Sequence, residues 1–207
     1  DRHEKPLTKA YSHLRTLRNP GKGYLEVTLD NGNMQILNEY EEPVTDEYKE
    51  IEYSISKEGV LFFQVSLISG GQQILDARGK PLTPVYERII ESAIFRGTSA
   101  IIVQEKGGQR IIDFRGRPMT RQYREVAPIE MGGVDALVVV HHNGRKQLLS
   151  AEEEPLTEPL KDIAPVDLNG ESYFLATHMD GKKQILNERG DPIMTPHRDV
   201  YIHEGNQ

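Results

Sequence analysis

The sequence predicts an all-β repeat protein: five and a half three-stranded units of about 37 residues, stacked as a curved open array, with a closed β-propeller-like ring as the alternative. Three observations carry this. Prolines 43, 81, 118, 155 and 192 are spaced by 38, 37, 37 and 37 residues. Each is preceded at constant distance by a turn dipeptide and a short aliphatic phrase. Before each phrase lies a brief run rich in β-branched or aromatic residues, which favours strands over helices.

The elements follow in order. The apolar runs Leu25–Leu29, Leu61–Ile68, Ala100–Val103, Ala136–Val140 and Tyr173–Ala176 are read as first strands. The dipeptides Asn31-Gly32, Gly70-Gly71, Gly107-Gly108, Asn143-Gly144 and Asp180-Gly181 tolerate the positive φ of a hairpin turn. The second strand is the phrase Gln-Ile-Leu around Ile36, Ile74 and Ile185, which reads Arg-Ile-Ile at Ile111 and Gln-Leu-Leu at Leu148. A second turn follows, with Gly79, Gly116 and Gly190 available for a left-handed residue. Proline removes a ladder donor, so it belongs at a strand start or a sheet edge. The third strand is read through Tyr48–Ile55 and its equivalents, with a short helical turn as the alternative for Thr-x-x-Tyr.

A unit of this size cannot bury its apolar face alone, so the Ile/Leu pairs and the tyrosines are read as packing residues between stacked neighbours. The reading is one domain over residues 1–207. It holds a half repeat at 1–23, opened by Pro6-Leu-Thr-Lys-Ala-Tyr11, and repeats at about 24–59, 60–97, 98–133, 134–170 and 171–207.

Composition narrows the function. Of 207 residues, 37% are hydrophobic and 28% charged, too apolar for a wholly disordered chain. The net charge of -7 disfavours a general nucleic-acid binder. No apolar run approaches membrane-spanning length. There is no cysteine, which removes disulfides, thiol catalysis and cysteine-ligated metal sites. Residue 1 is Asp and the sequence shows no charged-then-apolar signal segment; with the lack of cysteine, this is read as an exported protein, periplasmic or secreted, whose signal peptide is presumed removed.

The phrase Gly-Lys-x-x-Ile-Leu-Asn-x-x-Gly-Asp-Pro at Gly181–Pro192 resembles the Trp-Gly (WG) β-repeat of bacterial proteins. The matching positions are Gly70, Asp76, Gly79, Lys80 and Tyr86 in one copy, and Gly107, Asp113, Gly116, Arg117 and Tyr123 in the next. The resemblance covers nearly the whole chain. It departs at the name-giving dipeptide: Met34, Gln72, Gln109, Lys146 and Lys183 replace Trp, and Gln35, Gln73, Arg110, Gln147 and Gln184 replace Gly. The family implies β-repeats, many exported or tied to interactions, and it implies no catalytic residues.

No nucleophile elbow, zincin motif, Walker loop or dinucleotide fingerprint is present. No cofactor or metal is expected. His141 and His178 occupy equivalent repeat positions, and His142 adjoins the first, but a metal site would need a third ligand. Glu152–Glu154 reads as a solvated turn. One asymmetry stands out. Between Arg96 and Glu125 seven basic residues, Arg96, Lys106, Arg110, Arg115, Arg117, Arg121 and Arg124, meet three acids, Glu105, Asp113 and Glu125. This +4 island leaves -11 for the rest of the chain. Its six arginines form the candidate partner-binding set, with bidentate forks suited to an acidic protein surface or an anionic glycan. Neutralisation by neighbouring acids is the competing reading. The first 23 residues are also basic, six positive to two negative.

The expected function is non-catalytic binding of another protein in the bacterial envelope, as an adaptor or an immunity-type inhibitor of a secreted toxin or effector. The alternatives are a glycan or peptidoglycan-binding module, for which non-repeat tyrosines such as Tyr173 would matter, and a carboxylate-based hydrolase.

Overall fold

The computed structural model describes residues 11–19, 22–56, 59–198 and 200. Among them there is no helix, and hence none long and apolar enough to cross a membrane. The strands are β1 (His13–Asn19), β2 (Lys22–Thr28), β3 (Met34–Asn38), β4 (Glu50–Ile55), β5 (Leu61–Ser66), β6 (Gln72–Asp76), β7 (Arg88–Phe95), β8 (Thr98–Glu105), β9 (Gly108–Asp113), β10 (Glu125–Met131), β11 (Val134–Val140), β12 (Lys146–Ser150), β13 (Asp162–Leu168), β14 (Glu171–Thr177) and β15 (Lys183–Leu186). They form five three-stranded sheets in sequence order, β1-β2-β3 through β13-β14-β15. Every pairing whose register is defined is antiparallel. The all-β class and the three-stranded unit match the sequence expectation, while the phrase from Pro6 that opens the expected half repeat lies outside the described residues.

The chain divides into two compact units, residues 1–89 with 114–116, and residues 90–113 with 117–207. The boundary falls inside β7.

The sheets begin one strand earlier in the repeat than the sequence suggests. The strand that follows Tyr48 and its equivalents opens the next sheet, and each apolar run becomes a central strand. Two-residue turns explain this phase. Arg96-Gly97 (φ 52° and 67°), Gly132-Gly133 (58° and 80°) and Asn169-Gly170 (53° and 83°) are left-handed at both positions, the geometry that closes β7 onto β8, β10 onto β11 and β13 onto β14.

Packing departs from simple alternation. In each third strand two consecutive apolar residues are buried: Ile36 and Leu37, Ile74 and Leu75, Ile111 and Ile112, Leu148 and Leu149, Ile185 and Leu186. Successive side chains point to opposite faces, so both faces of the sheet are covered. In the second unit Leu149 joins a core with Phe95, Ile102, Leu137 and Val139, while its neighbour Leu148 joins another with Phe174, Ala176 and Leu186. In the first unit Ile36 packs with Tyr24, Phe63, Val65 and Leu75.

After each third strand the chain turns and runs back along it as an interrupted edge. Only two bridges form per copy, such as Leu75 with Pro81 and Gln72 with Tyr86. The turn is held by a capping side chain: Asp76 Oδ1 accepts from the amides of Arg78 (2.8 Å) and Lys80 (2.9 Å), and Asn38, Ser150 and Asn187 do the same. Proline sits on this edge, as its missing donor requires. Between the bridges threonine replaces the ladder. Thr45, Thr83, Thr120 and Thr157 Oγ1 accept from the amides of Ile36, Ile74, Ile111 and Leu148 at 3.0–3.1 Å. Gln35, Gln73 and Gln147 Nε2 donate to the carbonyls of Thr45, Thr83 and Thr157 at 2.7–2.9 Å.

In three copies a further side chain ties the sheet to the next strand. Gln72 Oε1 accepts from Ile89 N (2.6 Å), Gln109 Oε1 from Val126 N (3.2 Å), and Lys146 Nζ meets Asp162 Oδ1 at 2.7 Å.

Two stability outcomes follow. Thr83→Val leaves the buried Ile74 amide without its acceptor and should cost about 1–3 kcal/mol, read from the denaturant midpoint. Glu41 holds φ 63° at the turn position filled elsewhere by Gly79, Gly116 and Gly190, so Glu41→Gly should stabilise by about 0.5–1 kcal/mol in the same assay.

Candidate functional site

The site residues are best built from the tight turn after β12. At the position of Gly79 and Gly190 this copy carries Glu153, with φ 65°. Those glycines also lie against the preceding copy: a Cβ on Gly79 would stand 2.0 Å from Val44 O, and one on Gly190 2.8 Å from Leu156 O. Glu153 occupies the same turn with a full side chain and sends its carboxylate back to the preceding edge segment. Its Oε1 accepts from Tyr123 Oη (2.7 Å) and from the amide of Arg121 (2.9 Å), and Arg121 Nε lies 3.4 Å away. Tyr123 is the repeat tyrosine, held by its bridge to Gln109. Burial, then the hydrogen bond to the Glu153 carboxylate and its charge, push the Tyr123 hydroxyl up to about 12, against a partial offset from Arg121.

Beside this trio lies a cleft of about 400 Å³ lined by Arg121, Tyr123, His141, His142, Gln147 and Glu153, among others. His141 Nε2 is 2.8 Å from Gln147 Oε1, and Gln147 Nε2 donates to Thr157 O at 2.7 Å. The amide oxygen can only accept, so His141 donates to it through Nε2. The ring meets Tyr123 edge-on at 6.0 Å. His178 repeats the arrangement with Gln184 (3.0 Å), which donates to Met194 O (2.9 Å). Each histidine thus belongs to its own copy's glutamine, and no group of three His, Asp or Glu able to hold a metal occurs among the described residues.

The six arginines fare differently from one another. Arg96 sits in the β7–β8 turn, lies 5.2 Å over the Phe95 ring, and donates to Ala151 O through Nε (3.1 Å) and Nη2. Arg110 is half-buried with Nε 2.7 Å from Glu105 Oε2, close enough for an ion pair but without hydrogen-bond alignment. Arg117 pairs with Asp113 at 2.6 Å. Arg115 is exposed and belongs to the first unit. Arg121 and Arg124 keep largely exposed guanidinium groups, with Arg124 only loosely paired to Glu125 at 3.7 Å. The structure therefore brings Arg121 to the cleft, engages Arg96, Arg110 and Arg117 within the fold, and sets Arg124 beside the β11–β12 turn, with Nη1 3.8 Å from where a Gly144 Cβ would stand. That turn also carries Arg145, exposed and without a side-chain partner among the described residues, and exposed His142. Neither was singled out as cationic surface from the sequence; their position in a hairpin turn was the available signal.

No known protein-family pattern matches the chain, and no curated protein matches it. Among solved structures it is similar to BamB from Moraxella catarrhalis, at 15% identity over 88% of this chain and 60% of that one, TM-score 0.37. It is also similar to the Dos1 propeller, at 13% identity, 84% and 56% coverage, TM-score 0.42. BBS1N in complex with ARL6DN gives 12% identity, 90% and 66% coverage, TM-score 0.36. The chain spans two thirds or less of the length of each.

The Tyr123 proton can be checked directly. Difference titration of phenolate absorbance, wild type against Tyr123→Phe, should isolate one tyrosine ionising near pH 12, and Glu153→Gln should move it lower. Because the folded pKa is raised, the stabilisation linked to this proton is complete below about pH 10 and is lost as pH climbs towards 12.

Proposed function

We propose that the chain is a non-catalytic, protein-binding repeat protein of the bacterial envelope, an adaptor or an immunity-type inhibitor of a secreted toxin or effector, related to the WG repeats its phrases resemble. The observation that supports binding is the cationic surface of the second unit. Among the described residues Arg124 has only a loose side-chain partner and Arg145 none, and the Arg121 guanidinium stays largely exposed with Nε 3.4 Å from Glu153, in a chain of net charge -7, while most other arginines of the island are engaged within the fold. A guanidinium without a buried partner contributes little to folding and is available to a carboxylate-rich surface. The sheets behind it are packed on both faces, so the turns that carry these groups stand on a rigid support. The Glu153 carboxylate accepts from Tyr123 and Arg121, which suits a structural tie better than a hydrolytic role. The envelope setting rests on the cysteine-free, acidic composition and the repeat resemblance.

The test is affinity capture by the tagged chain from envelope and secreted fractions, read by mass spectrometry. One stoichiometric protein partner is expected. Arg121→Glu with Arg124→Glu should weaken its binding by at least about tenfold and flatten the salt dependence, whereas Arg117→Glu, whose parent side chain is paired to Asp113, should do less. Capture unaffected by the double reversal rejects the surface; retention on wall material without a protein partner rejects the protein-binding reading.

A further inference from the structure

A second concave site lies wholly within the first unit and shares no residue with the cleft beside Glu153. Its cleft of about 510 Å³ falls in the size range of small-ligand sites and has an apolar floor of Tyr24, Pro43, Val44 and Ala77. Tyr40 stands at its side. It is 76% exposed, the most open large hydrophobic side chain among the described residues. The loop beneath it is tightly held. Asn38 Oδ1 accepts from the amides of Tyr40 and Glu42, both at 2.9 Å, and Asn38 Nδ2 donates to Glu42 Oε2 at 2.9 Å. The backbone adds Asn38 N to Glu42 O (2.9 Å) and Glu41 N to Asn38 O (3.0 Å). The ring is therefore presented on a preorganised support, which lowers the ordering cost of binding.

The position also breaks the repeat. Two residues past the capping side chain, the other copies carry Arg78, Arg115, Glu152 and Arg189, and only the first carries an aromatic. The next copy's counterpart, Arg78, lines the same cleft, as does Glu39. Neither of these two side chains has a partner among the described residues.

We propose that this cleft is a saccharide subsite taking one ring of an uncharged pyranose oligomer. The Tyr40 face receives the C–H face of the sugar, Arg78 donates to a pair of ring hydroxyls, and Glu39 accepts from the next. The chemistry selects this occupant. An aromatic face alone is apolar, but one carboxylate and one guanidinium at the rim supply acceptor and donor with no net charge, which suits a neutral polyol better than an ionic group. A proline-rich peptide would need successive exposed aromatic ridges. Here the second ring, Tyr24, is buried with its hydroxyl donating to Ala77 O at 2.9 Å, so only one platform is open. The inference is independent of the protein-binding reading and can fail without it.

The experiment is isothermal titration of the whole chain with cellohexaose, maltohexaose and chitohexaose, each to about 10 mM, beside a proline-rich decapeptide. Binding of at least one oligosaccharide with Kd of about 0.1–1 mM is expected. Tyr40→Phe should retain it, Tyr40→Ala should weaken it by at least about tenfold, and Arg78→Met by about threefold or more, with thermal midpoints unchanged because these side chains are exposed. Absence of binding to all three sugars, equal binding by Tyr40→Ala, or Tyr40-dependent binding of the decapeptide instead would each overturn the assignment.

Discussion

Everything in this structure depends on adjacent apolar residues in the third strand of each sheet facing opposite ways. Leu148 and Leu149 lie side by side in sequence, yet one packs towards Phe174 and the other towards Phe95. A sheet of three short strands with both faces apolar has no independent existence in water. It must be covered on both faces, and within each unit neighbouring copies supply that cover. Each fully buried Leu or Ile in such a pair contributes about 1.5–3 kcal/mol, so the two faces are of comparable importance. Within each unit the core is consequently layered, and much of the surface that remains for function lies in turns and edge segments.

That rim is organised by polar groups at fixed repeat positions. Threonine hydroxyls accept from the third strand, and glutamine amides donate to the edge-segment carbonyls, where proline and the bends of that segment interrupt the ladder. Glycine at the tight turn lets one copy approach the backbone of the copy before it. Departures from these positions generate the individual features. Glu153 in place of glycine anchors Tyr123 and Arg121; Tyr40 in place of a charged residue leaves an aromatic ring in solvent. In a repeat protein the background is known from the other copies, so a local exception is visible against it.

The fold was legible in the sequence because its signals are local. Turn glycines, prolines and β-branched runs act within a few residues, and their period exposes the unit. The sheet phase was less legible, since Arg96-Gly97 does not read as a two-residue hairpin until Arg96 is seen at positive φ. The interrupted edge was partly legible: proline pointed to an edge, but the use of Thr83 Oγ1 as a substitute acceptor depends on geometry that spacing does not encode. The cationic island was the least legible part. Whether an arginine is free depends on partners far along the chain, such as Ala151 for Arg96, or on a turn that folds Glu105 onto Arg110. Counting charges along the sequence could not separate these from Arg124 or Arg145.

Because one threonine hydroxyl stands in for the rung missing between the two bridges of each edge segment, a single side chain can loosen or tighten that segment. The fifth copy already shows the change: Met194 stands where Thr45, Thr83, Thr120 and Thr157 stand in the others, and a thioether is a poor acceptor for the Ile185 amide. Its edge is therefore the natural place for local opening, with amide exchange fastest there and slowest under the threonine-clasped copies. A protein of this design can carry a gradient of lability along one chain, written in a single recurring position.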